Sequence, residues 1–111
     1  MVTKQNIKEV LELIMQTEHS DFEAKMKFGS KGYELRGNLC AGVFQDMIVL
    51  NLGKERVDEM LKLAHTRPMD IIGRVLEDWI MLEEPIYEND EYLKELLKAA
   101  TDRVRKLPRK F

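Results

Sequence analysis

The spacing of hydrophobic residues near the start of the chain predicts an amphipathic helix. Residues at intervals of three and four mark one helix face, formed by Ile7, Val10, Leu11 and Ile14. Asn6 precedes this stripe and Glu9 follows Asn6 by three residues, a pattern typical of a capped helix start. We therefore expect the first helix to begin just after Asn6.

Residues 22–52 change to a period of two, which predicts strands with one buried face and one polar face. The first strand pattern reads FEAKMKF, whereas the last, Met47–Leu52, is almost wholly apolar, as is typical of a central strand. Short turns separate the four strand patterns, at Gly29-Ser30-Lys31-Gly32, Gly37-Asn38 and Gln45-Asp46. These features predict an antiparallel meander of four strands.

After Gly53 the helical period returns, in a stripe formed by Val57, Met60, Leu61 and Ala64. This helix should end by Arg67, because Pro68 disfavours helical geometry in the residue before it. Two short strands are expected next, over Met69–Ile72 and Asp78–Leu82. The last helix is expected over residues 89–107, with Asn89 as its cap and with one buried face formed by Leu93, Leu96, Leu97, Ala100, Val104 and Leu107.

The predicted order of elements is α-β-β-β-β-α-β-β-α, without a repeat, a low-complexity tract or a linker. Sequential hairpins and helices of this kind predict an α+β fold. We expect a two-layer sandwich, with an antiparallel sheet of five to six strands and with the helices packed on it. Residues 1–111 are expected to form a single domain.

Composition narrows the class of protein. The 111 residues are 44% hydrophobic and 34% charged, as in globular proteins, and the formal net charge of −2 provides no overall positive field for nucleic acid. No apolar run is longer than Met47–Leu50, which is far too short to span a membrane, and the N-terminus has no signal-peptide core. The single cysteine favours a reducing compartment, so we expect a cytoplasmic protein without a membrane partner.

The residue types that most often carry chemistry are few. Cys40 lies inside a predicted strand, and His19 and His65 each lie near the end of a predicted helix. The chain contains no Cys-x-x-Cys or His-Glu-x-x-His spacing, and its glycines lie at predicted sheet turns rather than in a phosphate-binding loop. We expect no catalytic residue, no metal and no cofactor. The alternative is a small cysteine-dependent enzyme that uses Cys40 with His19 or His65.

A basic tail at the end of the last predicted helix suggests a second alternative, a nucleic-acid-binding domain. Its cations are Arg103, Arg105, Lys106, Arg109 and Lys110. Cations also interact favourably with a helix C-terminus, which explains them without a ligand. Apart from the terminal Phe111, the tail lacks the interleaved aromatic residues that stack on bases.

Several residues of segment 67–79 are of types that neither a helical nor a strand pattern explains. Candidate partner-binding residues here are Arg67, Asp70, Arg74 and Trp79. Arginine and tryptophan often form the energetic centre of protein interfaces. The structural alternative is a rigid connection in which Arg67 or Arg74 pairs with Asp70 or with carbonyl groups.

This segment, together with the strands before it, resembles the N-terminal domain of the TfoX/Sxy family of bacterial competence regulators. The resemblance covers about residues 7–82. The motifs that carry it are Lys27-Phe28-Gly29-Ser30, Gly37-Asn38-Leu39-Cys40, Asp46, Leu52-Gly53-Lys54-Glu55, Arg67-Pro68-Met69-Asp70, Gly73-Arg74 and Trp79. Two positions depart from the family pattern, since Ser30 replaces a turn glycine and Asn51 stands where the family often has arginine.

The resemblance implies an architecture similar to that of the secretion chaperones, and it implies no catalytic residue. It also implies a stand-alone N-terminal-type protein, because the chain ends without the helical C-terminal domain of the full-length regulators. From it we expect a non-enzymatic protein-interaction module that regulates transcription or competence, with another protein as its partner, such as a transcription factor. We expect edge strands or the last helix to supply the interaction surface. A homodimer is a further expectation, because the domain is small.

Overall fold

The computed structural model describes residues 6–27, 30–71 and 73–109. It confirms the predicted α+β fold and the predicted order of elements, with one short helix added before the last. The elements are α1 (Ile7–Glu18), β1 (Glu23–Lys27), β2 (Ser30–Leu35), β3 (Asn38–Phe44), β4 (Met47–Asn51), α2 (Lys54–Met60), β5 (Thr66–Ile71), β6 (Arg74–Leu82), α3 (Glu84–Tyr87) and α4 (Asp90–Arg105).

The six strands form one antiparallel sheet in the order β1-β2-β3-β4-β6-β5. The residues of β4 and β6 show which side chains belong to each face of the sheet. Ile48 pairs with Leu82 and both belong to the main core, whereas Val49 pairs with Met81 and both belong to a second, smaller cluster. The buried hydrophobic residues of the helices lie in the main core. The helices therefore cover one face of the sheet, which gives two layers.

The turns between the strands follow the sequence closely, with shifts of one or two residues. Lys27 pairs with Ser30, and the predicted turn residues from Ser30 onward belong to β2. The predicted turn residue Gly29 lies outside the described residues. The second turn is at Arg36-Gly37 rather than Gly37-Asn38, with φ angles of 52° and 84°. Positive φ at both central positions is the geometry that matches the twist of a hairpin.

The helix α2 and the strand β5 differ from their predicted bounds. The helix ends at Met60, within the predicted limit of Arg67 but before the predicted stripe is complete, so Leu61 and Ala64 are exposed instead of buried. The Thr66 hydroxyl shares its one proton between the carbonyls of Met60 and Leu63, at 2.9 and 3.0 Å, and so provides a donor at the helix end. The chain can then enter β5 at Thr66. Pro68 fits inside β5 because this is an edge strand.

The strand β3 contains a bulge at the only cysteine. Tyr33 of β2 pairs with Ala41 and Glu34 pairs with Leu39, which leaves Cys40 as an extra residue. A bulge of this kind interrupts the alternation of side chains between the two faces. Cys40 and Ala41 are accordingly both fully buried members of the main core.

The helix α4 contributes the largest set of buried residues and packs on β3 and β4. The side chain of Asn89 accepts a hydrogen bond from the Tyr92 N–H at 3.0 Å, which confirms the predicted cap. By contrast, the Asn6 side chain forms no capping hydrogen bond at the start of α1. The face of α4 that meets the sheet is buried at Leu93, Leu96, Leu97, Ala100, Thr101 and Val104.

Replacing Leu96 by alanine should lower the free energy of unfolding by about 2–5 kcal/mol, because it leaves a cavity in the main core. The same change at Leu13, which is 60% exposed on α1, should cost less than about 0.5 kcal/mol. Urea denaturation followed by circular dichroism measures both. Equal losses in the two variants would contradict the assignment of α4 to the core.

Candidate functional site

The face of the sheet opposite the helices carries a hydrophobic patch, which we call the open-face patch. Its members are Phe44, Met47, Val49, Met69, Leu76, Trp79 and Met81. Val49, Met69 and Met81 are buried beneath the others, which are only half-buried. Within the described part of the chain this cluster consists of strand residues alone. The patch therefore presents apolar side chains, two of them aromatic, to the surroundings of the sheet.

Local sequence explains why the patch forms. Three cross-strand pairs build it, namely Phe44 with Met47, Val49 with Met81 and Met69 with Leu76. The apolar run Met47–Leu50 supplies side chains to both faces of β4, because successive residues of a strand point to opposite sides. Toward β2 the patch ends at Gly42, which has no side chain and pairs with Val49 of β4 and with Gly32 of β2.

Trp79 reaches the patch through an irregularity in β6. Pro68 pairs with Ile80 but Met69 pairs with Leu76, so residues 77–79 have no partners in β5. The carbonyl of Asp78 instead accepts hydrogen bonds from the backbone N–H groups of Leu52 and Gly53, at 3.0 and 3.1 Å. These bonds fix the segment that carries Trp79, and Trp79 itself lies opposite Asn51 of β4. The predicted candidate Trp79 is thus half-buried at the border of the patch.

The other three predicted partner-binding residues lie along the β5–β6 ribbon and do not form one cluster. Arg67 is opposite Met81 at one end, and its guanidinium is 2.8 Å from Glu83 rather than paired with Asp70. Arg74 is exposed and begins β6 at the other end, beside the hairpin turn. Asp70, opposite Val75, is also exposed. The two arginines therefore lie at opposite ends of the ribbon.

Two of the basic-tail residues are engaged within the molecule. Arg103 Nε donates a hydrogen bond to Asn51 Oδ1 at 3.0 Å, and its guanidinium lies 3.7 Å from Asp78. Arg105 donates to Asp21 Oδ1 at 3.0 Å and lies 5.2 Å from the centre of the Phe22 ring. This hydrogen bond lowers the pKa of Asp21 and raises that of Arg105.

The chain beyond α4 is held against the β2–β3 turn by backbone acceptors. Arg36 donates to the carbonyl of Arg105 at 2.6 Å, and Asn38 donates to that of Pro108 at 2.8 Å. Lys106 and Arg109 are exposed, and Lys110 lies outside the described residues. The structure therefore leaves Lys106 and Arg109 as the solvent-facing cations of the described tail, a smaller positive surface than the five predicted residues.

The residues of the cysteine-enzyme alternative lie in environments that disfavour it. Burial raises the pKa of the Cys40 thiol to about 12, whereas a nucleophilic cysteine needs a lowered pKa and access to substrate. His19 is buried, and burial followed by the charge of Arg105 lowers its pKa. His65 is exposed just before β5, with its Nδ1 3.7 Å from Glu83.

A metal centre would need several acidic, histidine or cysteine side chains close together. Among residues 6–27, 30–71 and 73–109, no three histidine, cysteine, aspartate or glutamate side chains are arranged to hold a metal ion. No helix in the same part of the chain is long and apolar enough to cross a membrane.

Comparisons with protein-family models, with curated proteins and with solved structures found no match to this chain. The choice of the open-face patch as the candidate site rests on the structure alone. Sequence reasoning found Trp79 but missed Phe44, Met47 and Leu76. The apolar run Met47–Leu50 was the signal that both faces of β4 are hydrophobic.

The Cys40 thiol should react with a disulfide reagent far more slowly than free cysteine at pH 8. A pKa of about 12 in place of 9.0 lowers the thiolate fraction roughly 10³-fold, and burial restricts access as well. The release of the coloured thiol product measures the rate, and the urea-unfolded chain is the control. Rapid labelling of the folded protein would contradict the buried placement.

The free energy of unfolding should decrease as the pH falls from 7.5 to 5.5, in part because of His19. Its pKa in the folded state is below the ordinary 6.5, so the unfolded chain binds more protons in this range and stability is lost as the pH falls. Urea denaturation at the two pH values measures the decrease. The His19→Gln variant should show a smaller decrease, and an unchanged or larger one would count against the burial of a neutral imidazole.

Proposed function

We propose that this chain is a non-enzymatic protein-interaction module and that the open-face patch binds its partner. The observation that carries the proposal is the set of half-buried apolar side chains on a sheet face that the described helices leave uncovered. Exposed apolar clusters with polar borders are characteristic of protein-binding surfaces. Tryptophan, phenylalanine and methionine, which the patch contains, are enriched in such surfaces.

The charged border of the patch supports a protein as the partner. Arg74 is exposed at one end of the neighbouring ribbon, where it can contact acidic or carbonyl groups of a bound protein. Arg67 lies at the other end, where it pairs with Glu83 while its side chain stays 60% exposed. The alternative, a nucleic-acid ligand, would find fewer available cations in the basic tail, because Arg103 and Arg105 are bonded to Asn51 and Asp21. We therefore favour recognition through the sheet over recognition through the basic tail.

We further propose that the module acts in the regulation of transcription or competence in the bacterial cytoplasm, with a transcription factor as its partner. This part rests on the resemblance to the TfoX/Sxy family, whose regulatory members act on the genes of DNA uptake. The residues shared with that pattern include Trp79 in the patch and Arg74 beside it. The buried free cysteine fits a reducing compartment.

A capture experiment with matched variants tests the proposal. Tagged wild-type protein, Leu76→Ser, Arg74→Ala and the control Leu13→Ser are each incubated with nuclease-treated host lysate, and the retained proteins are identified by mass spectrometry. Leu13 suits the control because it is an exposed apolar residue on α1, away from the patch. We expect one protein to be retained by wild type and by Leu13→Ser. Once that protein is purified, calorimetry should show binding about tenfold or more weaker for Leu76→Ser.

Thermal unfolding of each variant separates loss of binding from loss of folding. Equal retention by all four proteins would contradict the use of the open-face patch. Retention that disappears on nuclease treatment, and that falls steeply with salt, would instead favour the nucleic-acid alternative.

A further inference from the structure

The two edges of the sheet differ in their ability to accept another strand. The edge strand β5 contains Pro68, which has no backbone N–H to donate, and its partner β6 is irregular beside it. The other edge strand, β1, has five residues without proline or glycine and pairs in continuous register with β2. Its outer edge is thus the better template for an additional strand.

The sequence of β1 and the residue before it is complementary to itself in the antiparallel direction. The residues from Phe22 to Met26 read Phe-Glu-Ala-Lys-Met. When two copies are aligned with Ala24 opposite Ala24, Glu23 of each copy stands opposite Lys25 of the other, and Phe22 stands opposite Met26. Opposite-charge and apolar pairs directly across an antiparallel ladder are both favourable. Lysines on an edge strand usually prevent pairing with another strand. In β1, however, a glutamate alternates with a lysine, so each lysine meets a glutamate of the second copy and self-pairing is favourable.

Within one copy the charges of β1 are poorly matched. Glu23 lies directly opposite Glu34 of β2, and like charges in that position are destabilising. The Lys25 ammonium is 3.9 Å from the Glu23 carboxylate, and the two side chains are 50% and 75% exposed, so this ion pair contributes little. A second lysine on the open side of Glu23 would offset the repulsion from Glu34.

The apolar face of β1 is also incompletely covered. Met26 is 70% exposed. Between α1 and the β1–β2 hairpin lie two cavities of about 220 Å³ each, which share Glu12 and Tyr33 in their walls. One is lined in part by Met26 and Leu11, and the other by Phe22 and Ala24. The alignment on Ala24 brings the Met26 of a second copy next to Phe22, at the cavity that Phe22 and Ala24 line.

We propose that a second copy of this chain docks on β1, in antiparallel register with Ala24 on the two-fold axis. The dimer joins two six-stranded sheets into one continuous sheet and keeps both sets of helices on the same side. Each Glu23 then lies beside the partner copy's lysine, and each exposed Met26 is covered. The two open-face patches, far from β1 in the strand order, remain available on the opposite side, so one dimer presents two partner sites.

Charge reversal at two exposed positions tests this dimer by sedimentation equilibrium over a range of protein concentrations. Wild-type protein should sediment as a dimer that dissociates on dilution. Lys25→Glu and Glu23→Lys should each raise the dimer Kd about tenfold or more, because each variant places like charges opposite one another twice per dimer. An equimolar mixture of the two variants should recover the dimer. Lys25→Glu has carboxylates at positions 23 and 25, Glu23→Lys has ammonium groups at both, and each carboxylate of one chain then lies opposite an ammonium group of the other.

The recovery in the mixture distinguishes a pairing defect from misfolding, because a misfolded variant would not form the mixed dimer. Leu76→Ser serves as the control for association through the open-face patch and should leave the dimer Kd unchanged. A wild-type protein that stays monomeric at every concentration would overturn the proposal. So would a dimer that is insensitive to both charge reversals, or one that Leu76→Ser dissociates.

Discussion

The burial of one face of α4 against the central strands is the interaction on which the rest of the structure depends. Its leucines, with Ala100 and Val104, are fully excluded from solvent and meet β3 and β4, which hold the middle of the sheet. Removal of this apolar area from water is the dominant favourable contribution to folding for a domain of this size. Because the helices cover one face, the hydrophobic residues of β4 and β6 that point the other way form the open-face patch.

The position of α4 also determines what its charged residues can do. The turn of α4 that buries Val104 directs Arg103 toward Asn51 and Arg105 toward Asp21. The carbonyls at the end of the helix accept hydrogen bonds from Arg36, which joins the C-terminal segment to the β2–β3 turn. Two cations of the predicted nucleic-acid tail, Arg103 and Arg105, are thereby bonded within the fold. The sheet face that the described helices leave uncovered is the better candidate for recognition.

The spacing of hydrophobic residues was sufficient to predict the elements in which that spacing repeats regularly along the chain. The stripe of α1 and the long apolar face of α4 each predict the observed helix and most of its buried face. The alternation of β1 predicts the strand but not its burial, since Ala24 and Met26 are exposed. The end of α2 was not predictable in this way, because it depends on hydrogen bonds from the Thr66 side chain. The half-burial of Trp79 depends on the irregular pairing of residues 77–79, and the inward position of Cys40 depends on a bulge. Such irregularities arise from pairing between distant segments, which the local spacing of residues does not encode.

Acrylamide quenching of Trp79 fluorescence tests the central claim, that the sheet face opposite the helices is open to a partner. The chain contains one tryptophan, so the signal reports on this patch alone. Because Trp79 is half-buried, the quenching constant of the folded protein should lie between that of the unfolded chain and that of a fully buried indole. This constant should not change when the protein is diluted. A folded protein whose tryptophan is not quenched would show that another part of the chain, or a second copy, already covers the face.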